Sequence, residues 1–454
     1  MSVLELILIT AASISLLLFL VLRFKIHAFL ALILVSILVG IFTGMDLEKI
    51  LVSIQEGMAS TLGYIAVVVG LGAIFGEVLQ VTGGMESLAK AMLSFFGEKR
   101  ASWAMMATGF LVAIPVFLDV GFIILVPMVF ALARKSSRSV LYYAIPMLAG
   151  LAVTHAFVPP TPGPIAVAQI IDAPLGLVIM AGIIIGIPTA IISGPVFGNY
   201  ISKKIYVPPP SIDQGLEDLG SLNTDKGLSY RWVIFLIGLP LLLIILRSIL
   251  ELGEKANWYE PWWLMNFFKF LGHPFVALLL ATLFAGYFLG SKQGIKKDQM
   301  MKIANAALSP AGLIILITGA GGVFKQILVD SGVGVALAKI MVTYQLSPIV
   351  LAYILAAIIR VTQGSATVAM ITSAGMIAPV LMEMSITDIH KSLIVIAIAS
   401  GATILSHVND SGFWLIGKYL NMTENQTLRS WSVMETIVSV SSFLIILIVA
   451  AILL

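Results

Sequence analysis

The sequence predicts an all-α polytopic membrane protein made of two inverted repeats, each with about five spans, one re-entrant hairpin and a broken helix at the membrane midplane. Hydrophobic residues make up 59% of the 454 residues and charged residues only 11%, whereas soluble domains carry about 25% charged residues. The apolar residues come in blocks of roughly 18 to 25, the length that crosses ~30 Å of hydrocarbon. The two halves of the chain also resemble each other.

The first apolar run, 3–22, has its positive charges after it, at Arg23 and Lys25. A secretory signal carries them before the apolar segment, so we predict a retained first helix whose N-terminus faces outside. Ten runs are predicted to be full spans: 3–22, 26–45, 58–80, 139–170, 175–200, 230–250, 272–290, 305–329, 388–420 and 430–454.

The orientation of these spans follows from the positive charges. With the N-terminus outside, most of the 26 Lys and Arg residues fall in inner loops, as the positive-inside rule requires. An even number of full spans returns the C-terminus to the outside. The longest polar stretch, 202–229, lacks an apolar period and is predicted to be a cytoplasmic linker between a first repeat, 1–201, and a second, 230–454.

The internal similarity begins with "GAIFGEVLQVTGGMESLA" at 72–89, which aligns with "GGVFKQILVDSGVGVALA" at 321–338. Further on, His155 aligns with His407, and the offset between the halves stays near 250 residues. Each half has an odd number of full spans, so the second half is predicted to lie inverted. Inverted repeats with broken helices near the midplane are a recurring design of secondary transporters.

Two further segments, 101–134 and 346–384, are predicted to be re-entrant hairpins. The first contains "IPVFLDVGF" with Asp119, and the second contains "RVTQGSATVA" with Arg360. An isolated ion at the bilayer centre costs on the order of 3 kcal/mol. These charges must therefore be paired, hydrated, protonated or bound to a ligand.

Two spans are interrupted in corresponding places, by "THAFVPPTPGP" at 154–164 and by "SHVNDSG" at 406–412. The prolines remove backbone donors, and Asn, Asp, Ser and Gly favour turns. We predict that these are the unwound middles of spanning helices and that the binding site lies there. For either histidine alone, a packed structural role is the commoner explanation, whereas their matched positions in the two halves favour a function for at least one.

These motifs resemble those of the gluconate permease family, the gluconate:proton symporters of bacterial inner membranes. The resemblance rests on "HVNDSGFW" at 407–414, "RVTQGSATVA" at 360–369, "THAFVPPTPGP" at 154–164 and "DVGFIILVPMVF" at 119–130. It implies a symporter, not an enzyme, that imports gluconate or a related sugar acid with protons. Many members read PPHPGP where this chain has Thr161, so the precise sugar acid stays open.

The partners expected are a sugar-acid anion, protons, the lipid bilayer and, as one option, a second copy of the chain in a homodimer. No nucleic acid, cofactor or metal is expected, and the chain has no cysteine to form a thiolate site. The residues predicted to bind substrate are Thr161, Arg360, Gln363, Ser365, Thr367, Asn409, Asp410 and Ser411. Arg360 could bind the carboxylate directly or pair with Asp119 or Asp410.

The predicted proton-coupling residues are Asp119, His407 and His155. Asp119 is preferred because its apolar neighbours, Leu118 and Val120, suggest a dry setting that favours titration. His407 is second, since histidine titrates near neutral pH.

Two other functions remain open at this stage. A sodium-coupled carboxylate transporter would use carbonyl groups at the hairpin tips, and uptake that follows a sodium gradient would favour it. An intramembrane hydrolase would use Asp119, Asp410 and His407, but the sequence has no convincing nucleophile motif.

Overall fold

The computed structural model describes residues 3–210, 229–259, 262–290, 294–336, 339, 346–384, 386–408 and 410–453. Across these ranges the chain is helical and contains no strand, which confirms the predicted all-α class. Most of the predicted linker, 211–228, lies outside the described residues, as does Asn409.

The first half contains ten α-helices within the described residues. A short 3₁₀-helix, Glu98–Arg100, precedes the fifth, and a π-helical turn, Ile192–Val196, joins the last two. They are α1 (Val3–Leu22), α2 (Ala28–Phe42), α3 (Leu47–Val81), α4 (Gly84–Phe96), α5 (Ala101–Val112), α6 (Leu118–Ser136), α7 (Leu141–Phe157), α8 (Pro162–Ile170), α9 (Leu175–Ile191) and α10 (Phe197–Lys204).

The second half adds a further set of helices and two π-helical turns, Ala285–Gly290 and Leu428–Ser432. The helices are α11 (Tyr230–Lys255), α12 (Trp263–Leu271), α13 (Pro274–Phe284), α14 (Lys297–Asp330), α15 (Pro348–Gln363), α16 (Ala366–Met382), α17 (Asp388–Thr403), α18 (Ser411–Tyr419), α19 (Glu424–Thr427) and α20 (Val433–Leu453).

Six helices in the described part of the chain are long and apolar enough to cross a membrane, or seven if the bent pair Trp263–Leu271 and Pro274–Gly290 counts as one span. The sequence predicted ten full spans. Part of the difference arises where the helices are shorter than the apolar runs. The predicted span 26–45 is a helix of 15 residues, and 388–420 is divided at 404–410 into α17 and α18.

Helix starts recur at an offset of about 250 residues between the halves. Matched starts are Leu47 and Lys297, Leu118 and Ala366, and Pro162 and Ser411. This order agrees with the internal similarity of the sequence. The inverted orientation and the division into 1–201 and 230–454 stay predictions.

Both predicted hairpin segments are broken in the middle. The first is α5 and α6 with an interruption at 113–117, and the second is α15 and α16 with an interruption at 364–365. The two helices of each pair contact each other. Their re-entrant path through the membrane stays a prediction.

The two halves are held together by α3 and α14, which cross at small residues. A Cβ added at Gly57 would lie 2.7 Å from the carbonyl oxygen of Gly322, so the backbones touch. Ser53 on α3 also donates a hydrogen bond of 2.6 Å to Asp330 on α14. Small residues allow this approach in the membrane, where close packing drives helix association.

We expect Gly57→Ala to destabilise the protein by about 1–3 kcal/mol, because the added methyl group meets backbone atoms that cannot move aside. The measurement is the Tm of the purified protein in detergent. Gly63→Ala is the matched control, since it lies on the same helix and its Cβ would have nothing within 4 Å. Equal Tm values for the two variants would contradict the close crossing.

Candidate functional site

A cavity of about 720 Å³ lies where the interrupted helices of both halves meet. The first half supplies Asp119 and His155 to its lining, and the second supplies Arg360 and Asp410. Small-molecule sites have volumes of about 300–1,000 Å³. The cavity therefore has the size of a site for a small solute.

Four helices begin at this cavity, because each follows a break in the chain. Residues in the first turns of α6, α8, α16 and α18 line it, among them Asp119, Gly163, Thr367 and Gly412. Helix N-termini present free backbone N–H groups and a partial positive charge, which favour anions.

Two of these helix starts are fixed by side-chain caps. Ser365 accepts a hydrogen bond of 3.4 Å from the backbone N–H of Val368 at the start of α16. Asp410 accepts one of 3.0 Å from the N–H of Gly412 at the start of α18. The polar residues of the break thus cap helices and line the cavity at the same time.

The central contact of the cavity is the ion pair of Arg360 and Asp410, with 2.6 Å between Nη2 and Oδ2. The side chains are only 4% and 14% exposed. Ser406 also donates to Asp410, and Trp431 donates to Ser406 at 2.6 Å. Of the alternatives for Arg360, the structure therefore has the pair with Asp410.

The ion pair leaves part of the guanidinium without a partner. Nε and Nη1 of Arg360 are buried and have no hydrogen-bond acceptor. Arginine has a fork of donors that suits a carboxylate, and two of the three nitrogens of this fork are unused.

Asp119 and His155 form a second polar region of the lining. His155 packs edge to face on Phe117, with ring centroids 6.1 Å apart, and its Nδ1 has no hydrogen-bond partner. Asp119 lies close enough for its charge to act on His155. The side chain of Asp119 is exposed, so the dry setting expected from its apolar neighbours is wrong.

Most of the residues predicted to form the site line this cavity. They are Asp119, His155, Arg360, Gln363, Ser365, Thr367, Asp410 and Ser411.

Two predicted residues lie elsewhere. Thr161 is buried beside a small neighbouring cavity, where its hydroxyl donates 2.8 Å to the carbonyl of Val158. His407 does not line the main cavity, and its Nε2 lies 3.0 Å from the carbonyl oxygen of Val361. A backbone carbonyl lies within hydrogen-bond reach of each side chain, in the same turn for Thr161 and on α15 for His407.

Sequence reasoning missed several residues of the lining, notably Thr403, Lys418, Trp431 and Glu435. Glu435 is 4% exposed. Its one signal in the sequence is a single acid in the otherwise apolar run "VMETIVSV". An acid inside an apolar span is costly and is by itself a reason to suspect function.

A comparison with known protein families identifies the family of the chain. The profile of the GntP family permeases matches residues 4–452. The chain belongs to this family. The family assignment confirms the resemblance seen in the motifs and the prediction of a multi-pass transporter.

Curated relatives match this GntP family permease along nearly its whole length. A low-affinity gluconate transporter of Escherichia coli K12 is 40% identical over 441 residues, covering 96% of each chain. The Gnt-II system L-idonate transporter of the same strain is 39% identical over 446 residues, covering 98% of this chain and 99% of the relative. These relatives are transporters and not enzymes.

A solved structure shares the fold. The YdaH transporter of Alcanivorax borkumensis, whose crystal structure is described as having an unusual topology, matches with a TM-score of 0.60 over 90% of each chain. The sequence identity is 15%, so this likeness concerns the fold alone.

We expect Asp410→Asn to destabilise this permease by on the order of 3 kcal/mol, because it leaves the buried guanidinium of Arg360 without its paired charge. The measurement is the Tm in detergent. The matched control is Asp172→Asn, at a carboxylate that is 96% exposed. The double variant Arg360→Met/Asp410→Asn should recover part of the lost stability. Equal Tm values for Asp410→Asn and Asp172→Asn would contradict a stabilising ion pair.

Proposed function

We propose that the protein imports gluconate or a related sugar acid together with protons across the cytoplasmic membrane of a bacterium. The observation that carries this proposal is the polar cavity at which four helices begin, with Arg360 in its lining. Relatives named for gluconate and L-idonate transport, at 39–40% identity, support the same class of substrate.

The carboxylate of a sugar acid fits the positive features of the cavity. The helix N-termini offer backbone N–H groups, and Arg360 offers two nitrogens that have no acceptor. Both free nitrogens of Arg360 are buried, so a carboxylate reaches them only when neighbouring side chains move. Arg360 thus pairs with Asp410 and remains able to bind substrate.

The hydroxyl groups of a sugar acid need neutral hydrogen-bonding partners. Gln363, Ser365, Thr367 and Ser411 lie in the lining and supply donors and acceptors. We propose that these side chains recognise the sugar end of the substrate while the carboxylate faces Arg360.

Proton coupling requires a group in the cavity that gains and loses a proton during each cycle. We propose Asp119 for this role, because it lines the cavity, reaches water and has no basic side chain paired with it in the described part of the chain. His155 lies beside it and could receive the proton. His407, which is bonded outside the cavity, is the second choice.

We expect Asp119→Asn to abolish uptake against a gradient while sugar-acid exchange is retained, because the proton step is lost and the substrate site is not. The measurement is accumulation of labelled gluconate in proteoliposomes with an imposed pH gradient, together with exchange at equal pH. Glu86→Gln, outside the cavity on α4, is the control.

Unchanged accumulation in Asp119→Asn would eliminate Asp119 and shift the test to His407. Accumulation in the native protein that follows a sodium gradient and ignores pH would instead support sodium coupling.

We expect Arg360→Lys to weaken gluconate binding at least tenfold, because lysine keeps the charge and loses the planar fork. The measurement is the Kd by titration calorimetry in detergent, with folding checked by Tm. An unchanged Kd with intact transport would rule out a direct bidentate contact, and the anion would then be bound by the helix N-termini.

A further inference from the structure

The remaining feature of the cavity is the carboxyl group of Glu435, in the first turn of α20, which the transport scheme above does not use. It lines the cavity and is 4% exposed. Among the described residues, no donor forms a hydrogen bond or ion pair with it. Burying a carboxyl group without such partners costs free energy in the membrane. The position of Glu435 therefore suggests a function.

Glu435 lies beside the ion pair at the centre of the cavity. The charges of both Arg360 and Asp410 act on it. The position is fixed through the π-helical turn that precedes α20, since Trp431 and Ser432 in that turn donate hydrogen bonds to Ser406. The same serine donates to Asp410. One short network therefore holds both carboxyl groups near Arg360.

The two carboxyl groups differ in how they are supported. Asp410 accepts hydrogen bonds from Arg360, Ser406 and the N–H of Gly412. Glu435 has none of these donors. Protonation of Glu435 therefore weakens no hydrogen bond or ion pair, whereas protonation of Asp410 would weaken the contacts just named.

We propose that Glu435 binds a proton when the carboxylate of a substrate binds to Arg360. The inference rests on the proposed transport of a sugar acid. The proton comes from water in the cavity and binds to a carboxylate oxygen of Glu435, and no other bond is made or broken. Binding of the anion and of the proton would thus be linked at one guanidinium.

The charges of the cavity explain why the proton is needed. The ionisable groups in the lining are Asp119, His155, Arg360, Asp410, Lys418 and Glu435. With His155 neutral, three acids face two bases, and an added substrate carboxylate makes the excess of negative charge larger. Protonation of Glu435 removes one of these charges next to the site of the added one.

Of the helices that pack on α20, α7 brings His155 to the cavity and carries Tyr142 and Tyr143 in its first turn, at its other end. Tyr353 of α15 shares a hydrogen bond with Ser439, one turn along α20 from Glu435. α9 and the π-helical turn after it contact α20 and contain no ionisable residue. α17 carries Asp388, His390 and Lys391 in its first turn, at the opposite end from Thr403, which lines the cavity. Arg429, in the turn before α20, is exposed.

Glu435 and Asp119 would then have separate tasks. Glu435 links a proton to the binding of the anion, whereas Asp119 exchanges the proton with water. The two tasks are separable by experiment, because equilibrium binding needs only the first.

The test is the Kd for gluconate as a function of pH, measured by titration calorimetry on the full chain in detergent. If one proton binds with each anion, the native protein should lose affinity about tenfold for each pH unit above neutrality. Glu435→Gln should bind gluconate with a Kd that changes less than twofold over the same range. The control Glu86→Gln should keep the native dependence.

The outcomes separate this inference from the proposed function. A native protein that binds no sugar acid overturns both. A native protein whose Kd is independent of pH, or a Glu435→Gln variant that keeps the tenfold dependence, overturns only the role of Glu435.

A second measurement applies if Glu435→Gln does not fold. Infrared difference spectra of the native protein should show a new protonated-carboxyl band when gluconate is added, and the band should shift in Glu435→Asp. A spectrum without such a band, under conditions where calorimetry shows binding, overturns the proposal.

Discussion

The arrangement of the cavity depends on one constraint, the cost of a guanidinium ion inside a membrane protein. Arg360 is almost completely buried and pairs with Asp410. Removing one partner of such a pair leaves an uncompensated charge, which is far more costly than never having had the pair. The break at 404–410 brings Asp410 to Arg360, and the hydrogen bonds of Ser406 and Trp431 hold the break in place. The interruption of the helix is thus required by the ion pair as much as by the substrate.

The same constraint explains which parts of the site could be predicted from the sequence. Charged residues inside apolar segments are costly wherever they lie, so Asp119, Arg360 and Asp410 could be selected from the sequence, and the structure brings all three to one cavity. The helical class followed from the length of the apolar runs, and the interruptions followed from proline and turn-forming residues. These features depend only on neighbouring residues, so they can be predicted from the sequence.

The features that escaped prediction depend on contacts between distant segments. Glu435 lies in a run that looks like an ordinary span, and only the bonds from Trp431 and Ser432 to Ser406 bring it to the ion pair. Conversely, Thr161 and His407 were predicted to belong to the site and do not line the cavity. Their side chains lie within hydrogen-bond reach of the backbone carbonyls of Val158 and Val361. Helix lengths were also hard to predict, because an apolar run sets an upper limit on helix length and not the length itself.

The crossing of α3 and α14 has a consequence for the movement of the protein. Backbone atoms of Gly57 and Gly322 approach so closely that neither helix can slide along the other without a clash. Packed elements with such contacts move as one body, and displacement occurs at looser boundaries. Any cycle that opens the cavity to one side of the membrane and then to the other must therefore leave this pair as a stationary frame. The mobile parts would be the short helices that begin at the cavity, whose ends are joined by breaks instead of continuous helical hydrogen bonds.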